Sequence, residues 1–166
     1  MILGSGVDLI EVSRFEREVA RRGPGLIAEL FSAGELAWCR RHRRPAEGHA
    51  VVYAAKEALF KALGTGKVGR MAWHDIAVAW PAGASQPTVA LAGESAAVAA
   101  AMGVSAVHLA TALTKTLAAA WVVVTGLGTR DSGVVRHAEA KAPSSTAKPP
   151  EPRIPDPESR QSQENR

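Results

Sequence analysis

The chemistry legible in this chain concentrates in the string Ala55-Lys56-Glu57-Ala58-Leu59-Phe60-Lys61-Ala62-Leu63-Gly64-Thr65-Gly66, read together with Gly6-Val7-Asp8 near the start. Helical spacing puts the Glu57 carboxylate and the Lys61 ammonium one turn apart, on a helix that runs into a glycine-rich bend. Asp8 supplies a second carboxylate near the end of the first expected strand. Two carboxylates, a lysine and flexible backbone are the parts that hold a hard divalent cation against a diphosphate, so the pattern points to phosphoryl-type transfer. Taken singly, the same residues have plainer uses. Asp8 caps the helix that follows its strand, Glu57 and Lys61 form an ordinary i,i+4 surface pair, and Gly64-Thr65-Gly66 stops a helix.

Positioning these groups takes an ordered body, and the apolar pattern predicts one over residues 1–126. Residues 2–10 read as a strand whose Gly4 and Gly6 permit close backbone approach, and residues 12–22 as a helix ended by Gly23-Pro24-Gly25. Ser32 with Glu35 forms a capping box for a further helix carrying Leu36 and Trp38, up to the arginine cluster at 40–44, where Pro45 breaks the pattern. Residues 46–63 are alanine-rich, with Val51, Ala54, Ala55, Ala58, Leu59, Ala62 and Leu63 at helical spacing; this is the longest and most buried helix expected, with Gly64 as its C-cap. Residues 76–80 and 88–91 read as a hairpin around Pro81 and Pro87, followed by an alanine-rich helix over 94–102. Two strands, 106–113 and 118–125, complete the body, the second apolar enough to be central or packed on a helix. No internal repeat interrupts this order. From residue 127 to 166 the chain turns rich in Pro, Ser, Thr and charge with few large apolar residues, and a disordered tail is expected.

Composition bounds the answer without choosing it. With 166 residues, 46% hydrophobic and 22% charged, the chain supports one core and one domain with an appendage. A net charge of +4 and an isoelectric point of about 9.6 suit an acidic partner, a phosphorylated ligand or nucleic acid. The single cysteine, Cys39, excludes an internal disulfide and a cysteine-rich zinc site and favours a reducing compartment. There is no apolar run of about 18 residues and no charged-then-apolar leader, so a soluble cytoplasmic protein without membrane partners is expected.

A series of strings runs through the chain: residues 4–15 (GSGVDLIEVSRF), 31–36 (FSAGEL), 53–66, 73–78 (WHDIAV), and His108 before the last strand. In order and spacing they resemble the small holo-[acyl-carrier-protein] synthases, within the 4′-phosphopantetheinyl transferases, and they cover nearly all of residues 1–126. The resemblance implies an α+β fold: one hotdog-like unit with an antiparallel sheet wrapped on a long central helix, assembled as a homotrimer with active sites between subunits. It implies transfer of the 4′-phosphopantetheine arm of coenzyme A to a serine of an acidic acyl-carrier protein, a step of fatty acid or polyketide synthesis, leaving adenosine 3′,5′-bisphosphate.

By match to the family strings, Asp8 and Glu57 carry over as ligands of a magnesium ion, and Glu57, or a water it orients, as acceptor of the serine proton. Lys61 carries over as the cation that neutralises the departing phosphate. Lys56 is a further candidate for that charge, Gly64, Thr65 and Gly66 are expected beside coenzyme A, and His108 reaches the nucleotide from a neighbouring subunit, unless it is a core histidine. Arg14, Arg17 and Arg21 fall on one helix face, a solvated face by itself, which the resemblance makes the docking site for the carrier protein, with Arg14 at the family's contact position. The run at 40–44 reads as a solvated helix end. Two departures stand out: Val52 replaces the usual arginine before the aromatic, and residues 109–116 replace the run that follows the strand histidine. A catalytically weak paralogue that binds carrier protein or coenzyme A is the alternative. A small basic nucleic-acid-binding protein is a third reading, disfavoured because the basic runs lack interleaved aromatics.

Overall fold

Two glycines set how the first strand meets the longest helix. The computed structural model describes residues 1–67, 70–84 and 86–127. In it β1 (Ile2–Glu11) crosses α4 (Pro45–Ala62) so closely that a Cβ on Gly4 would collide with the Ala62 carbonyl, and one on Gly6 with the Ala58 carbonyl, at 2.7 Å from Ala62 N and 2.9 Å from Lys61 Cβ. Only a residue without a side chain lets the strand lie directly on the helix backbone. The close approach expected at these positions is what the structure contains.

Between these elements lie α1 (Val12–Arg22), α2 (Pro24–Leu30) and α3 (Ala33–Cys39). The first has the bounds expected. The second is new: Gly23, at φ 76°, turns the chain, and Pro24 then starts another helix at its first position, where a missing N–H costs nothing. Pro45 acts likewise, beginning α4 where the sequence suggested only a break. The Ser32–Glu35 capping box forms as expected, with the Glu35 N–H donating to Ser32 Oγ at 3.3 Å and the Ser32 N–H to Glu35 Oε2 at 2.8 Å. At the far end of α4 the cap is Leu63, and Gly64, at φ 74°, is the residue beyond it.

The strands form two antiparallel sheets. β2 (Ile76–Ala79) and β3 (Thr88–Leu91) are the expected hairpin, entered through a 3₁₀ turn at Trp73–Asp75. β4 (Val104–Leu113) and β5 (Leu117–Gly126) join β1 in the order β1-β5-β4, so the strongly apolar β5 is the central strand, and α5 (Gly93–Ala101) precedes them. The three-stranded sheet wraps on α4, and Ala54, Ala58, Leu59 and Phe60 of the helix meet Ala118, Val122 and Val124 in a fully buried core. Each large apolar side chain so buried contributes about 1.5–3 kcal/mol against an unfolded chain. This is the α+β arrangement expected, with its sheet in two pieces.

The described residues fall within one compact unit, Met1–Asp131. The tail expected beyond residue 127 lies outside them. No helix among the described residues is long and apolar enough to cross a membrane.

Candidate active site

Tyr53, Glu57 and Lys61 recur every four residues along α4 and so share one face of it. Because β1 lies on the helix at Gly4 and Gly6, its next residue on that side, Asp8, arrives beside Lys61. The Lys61 ammonium donates to Asp8 Oδ1 at 2.8 Å and to the Val7 carbonyl at 3.0 Å. The expected i,i+4 pair with Glu57 does not form. Glu57 instead accepts from the Tyr53 hydroxyl at 3.0 Å on Oε1.

The Tyr53 ring is wedged between Phe15, 5.0 Å away, and Trp73, 5.1 Å away. Burial, followed by the Glu57 and Asp8 carboxylates, pushes its phenol well above the usual tyrosine range, so it stays a donor. The sequence strings give Tyr53 no role of its own, and its place four residues before Glu57 is the signal that points to one. Its ring and Trp73 also help to line a cavity of about 380 Å³ between β1, α1 and α2, rimmed by Arg14 and Arg22.

Asp8 Oδ2 is buried and has no hydrogen-bond partner among the described residues. A carboxylate oxygen removed from water without a partner is costly, and a cation would repay that cost. Among the described residues no three or more His, Cys, Asp or Glu side chains gather as a cage. The donor set of two carboxylates fits magnesium, which is held through one or two carboxylates with water and phosphate oxygens completing its shell.

Lys56 is corrected by the structure. It is completely buried, and its ammonium is spent on Glu35 Oε2 at 2.9 Å and on the carbonyls of Leu30 at 2.8 Å and Trp73 at 3.1 Å. One residue of helix rotates a side chain by about 100°, and that step takes Lys56 from the Glu57 face into the core. Burial pushes its pKa down, and Glu35 opposes the shift. No phosphate reaches it. Glu35 also accepts from the Val78 N–H at 2.9 Å, so the pair ties together the end of α2, the first turn of α3, the middle of α4 and strand β2.

The glycine bend is also more closed than expected. The Gly64 N–H donates to the Lys61 carbonyl and the Gly66 N–H to the Phe60 carbonyl, while Thr65 Oγ1 is taken by the Gly66 carbonyl. Those two N–H groups finish the helix and are not offered to a ligand. The open surface above Gly64 and Gly66, where an added Cβ would meet nothing, is what the bend leaves for close approach.

His108 sits on the other side of the sheet. In register it faces Val123, itself opposite Ser5, and its Nε2 lies 3.1 Å from Thr125 Oγ1. Strand alternation therefore separates it from Asp8, which is on the α4 side. It is exposed and not a core histidine. Arg14, Arg17 and Arg21 are all exposed on α1; Arg21 is engaged by Glu18 at 2.7 Å, while Arg14 has no ion pair among the described residues. Val52, in place of the arginine, is fully buried. Of the run at 40–44, Arg44 pairs with Glu16 at 3.1 Å, and the remainder forms the turn after α3.

Comparison with known proteins gives a consistent answer. The family profile of the 4′-phosphopantetheinyl transferase superfamily matches residues 4–120. A holo-[acyl-carrier-protein] synthase of Desulforudis audaxviator is 42% identical over 126 residues, 76% of this chain and 95% of that protein. One from Koribacter versatilis is 36% identical over 124 residues, covering 75% and 98%. Among solved structures, the holo-[acyl-carrier-protein] synthase of Neisseria meningitidis superposes with a TM-score of 0.67 at 27% identity, over 75% of this chain and 99% of that one. That of Bacillus anthracis, in complex with coenzyme A (3′,5′-ADP), gives 0.61 at 28% identity, over 76% and 99%.

Proposed function

The chain belongs to the 4′-phosphopantetheinyl transferase superfamily, and we propose that Asp8, Glu57 and Lys61 carry its reaction. It transfers the 4′-phosphopantetheine group of coenzyme A to a serine of an apo-acyl-carrier protein, leaving adenosine 3′,5′-bisphosphate. The buried, unpartnered Oδ2 of Asp8, beside Lys61 and one strand crossing from Glu57, is the observation that carries the assignment.

Asp8 and Glu57 would hold a magnesium ion, which when bound neutralises diphosphate charge and aligns the phosphorus for attack. Lys61, half exposed and already turned toward Asp8, stands ready to stabilise charge on the departing phosphate. Glu57 has one oxygen taken by Tyr53 and no second donor among the described residues, and can orient a water that accepts the serine proton. Arg14, which forms no ion pair among the described residues, meets the acidic carrier protein and raises the encounter rate more than the affinity.

Assembly into a trimer completes this reading. The outer face of the three-stranded sheet exposes Val7 (59%), Leu9 (60%) and Trp121 (57%), with Val7 and Trp121 cross-strand neighbours. So contiguous an apolar face supports burial against further copies, and such burial would bring His108, on that same face, to a neighbour's nucleotide. A cytoplasmic setting fits the single buried thiol of Cys39.

The test is mass spectrometry of an apo-carrier protein incubated with coenzyme A, magnesium and the full chain. The carrier should gain the phosphopantetheine mass, and Asp8→Ala or Glu57→Ala should each slow the gain on the order of a hundredfold, about 3 kcal/mol of barrier, without unfolding. Wild-type rates in both variants would refute the metal pair. Binding without any gain of mass would leave the weak paralogue in its place.

A further inference from the structure

We propose that Tyr53 is a positioning residue for Glu57: its hydroxyl occupies one carboxylate oxygen, so that Glu57 offers a bound cation a single oxygen and the site favours a small octahedral ion over a larger one. This rests on the reading of Asp8 and Glu57 as the metal pair. Two observations carry it together.

The first is that the two carboxylates are treated alike. Asp8 has Oδ1 taken by Lys61 and Oδ2 without a partner, and Glu57 has Oε1 taken by Tyr53. The two donors flank Glu57 at four residues before and four after, so one helix face supplies both. The second is that the Tyr53 hydroxyl is held independently of Glu57. Its ring is fixed between Phe15 and Trp73, and α4 is buried on either side of it at Val52 and Ala54. A donor anchored this way sets the carboxylate's rotation; a donor on a free side chain would follow it.

The consequence is selectivity. Calcium takes six to eight oxygens and accepts bidentate carboxylates, whereas magnesium demands near-octahedral geometry and keeps its waters. With Oε1 bound to a phenol, bidentate ligation costs the breaking of that hydrogen bond. Phenylalanine at 53 keeps the aromatic packing and removes only the donor.

The experiment measures Mn²⁺ binding to the full-length chain by electron paramagnetic resonance, with and without coenzyme A, followed by competition with Mg²⁺ and Ca²⁺. Tyr53→Phe should weaken Mn²⁺ binding roughly tenfold and lower the ratio of Mg²⁺ to Ca²⁺ affinity, while the stoichiometry stays as in wild type. Asp8→Asn should abolish binding. If Asp8→Asn binds as wild type, the metal pair itself is wrong. If Asp8→Asn fails to bind but Tyr53→Phe matches wild type in affinity and selectivity, the pair stands and the role of Tyr53 is overturned. Fewer sites per molecule at unchanged affinity would mean that Tyr53 only maintains the fold, and would likewise overturn it.

Discussion

Gly6→Ala is the smallest perturbation that should move the site without replacing a site residue. The φ of Gly6 is not in the left-handed region, so alanine brings no backbone strain and the effect is steric alone. The new methyl would stand 2.7 Å from Ala62 N and 2.9 Å from Lys61 Cβ, with the Ala58 carbonyl nearer still. These are backbone atoms of a buried helix and a Cβ fixed to it, none of which can rotate away, so β1 must lift by about an ångström to restore van der Waals contact. Asp8 lies two residues along the same strand, and a lift of that size stretches its 2.8 Å bond to Lys61 past hydrogen-bonding range. Overpacking of this kind costs about 1–3 kcal/mol, roughly 4–11 °C of melting temperature for a domain this size. A displacement of that order at a reacting centre costs about a hundredfold in rate. Thermal unfolding by circular dichroism and carrier loading by mass spectrometry read the two effects separately, and Gly34→Ala, where an added Cβ meets nothing, serves as the control. A Gly6→Ala protein that melts within a degree of wild type and loads carrier at more than half its rate would refute the idea that this crossing sets the site.

Other outcomes follow from the same geometry. Arg14→Glu should raise the apparent KM for carrier protein more than Arg21→Glu does, because Arg21 is already held by Glu18, and equal effects at low and high salt would remove the docking role. Lys56→Met should cost about 3–5 kcal/mol in urea unfolding, since it strands the buried Glu35 carboxylate, while the KM for coenzyme A of the folded fraction stays put; a selective rise in that KM would restore Lys56 to the phosphate site. Burial holds the imidazole of His49 below its ordinary value of 6.5. The unfolded chain therefore binds the extra proton first, and the stability His49 contributes is present above pH 6.5 and lost as pH falls below it. Melting curves from pH 7.5 to 5 should show this decline, and His49→Leu should reduce its slope; an unchanged slope assigns the acid sensitivity to other groups.

What the sequence determined by itself is what acts over a few residues. The capping box at Ser32 and Glu35, the apolar period of α4, the hairpin around Pro81 and Pro87 and the apolar excess of β5 are local signals, and each produced its element. Gly4 and Gly6 even signalled a crossing, because only a close approach requires two missing side chains on one face of a strand. Starting points at proline were harder. Pro24 and Pro45 read as breaks, yet a first helical position suits proline as well as a gap does, and only the packing of Leu26 and Leu30 against the body decides for α2.

Which neighbour a charged side chain would find was decided by tertiary structure alone. Lys56 and Lys61 lie on the same helix and carry the same charge for a phosphate; partners 17 to 26 residues away took Lys56 into the core. Lys61 had a carboxylate one turn away, and it bonds one 53 residues distant, because β1 delivers Asp8 to within 2.8 Å. Tyr53 then becomes the donor to Glu57 that Lys61 is not. A hydrogen bond reaches about 3 Å, whereas the sequence records distance only along the chain, so the chemistry of each group followed from where the strand crossed the helix.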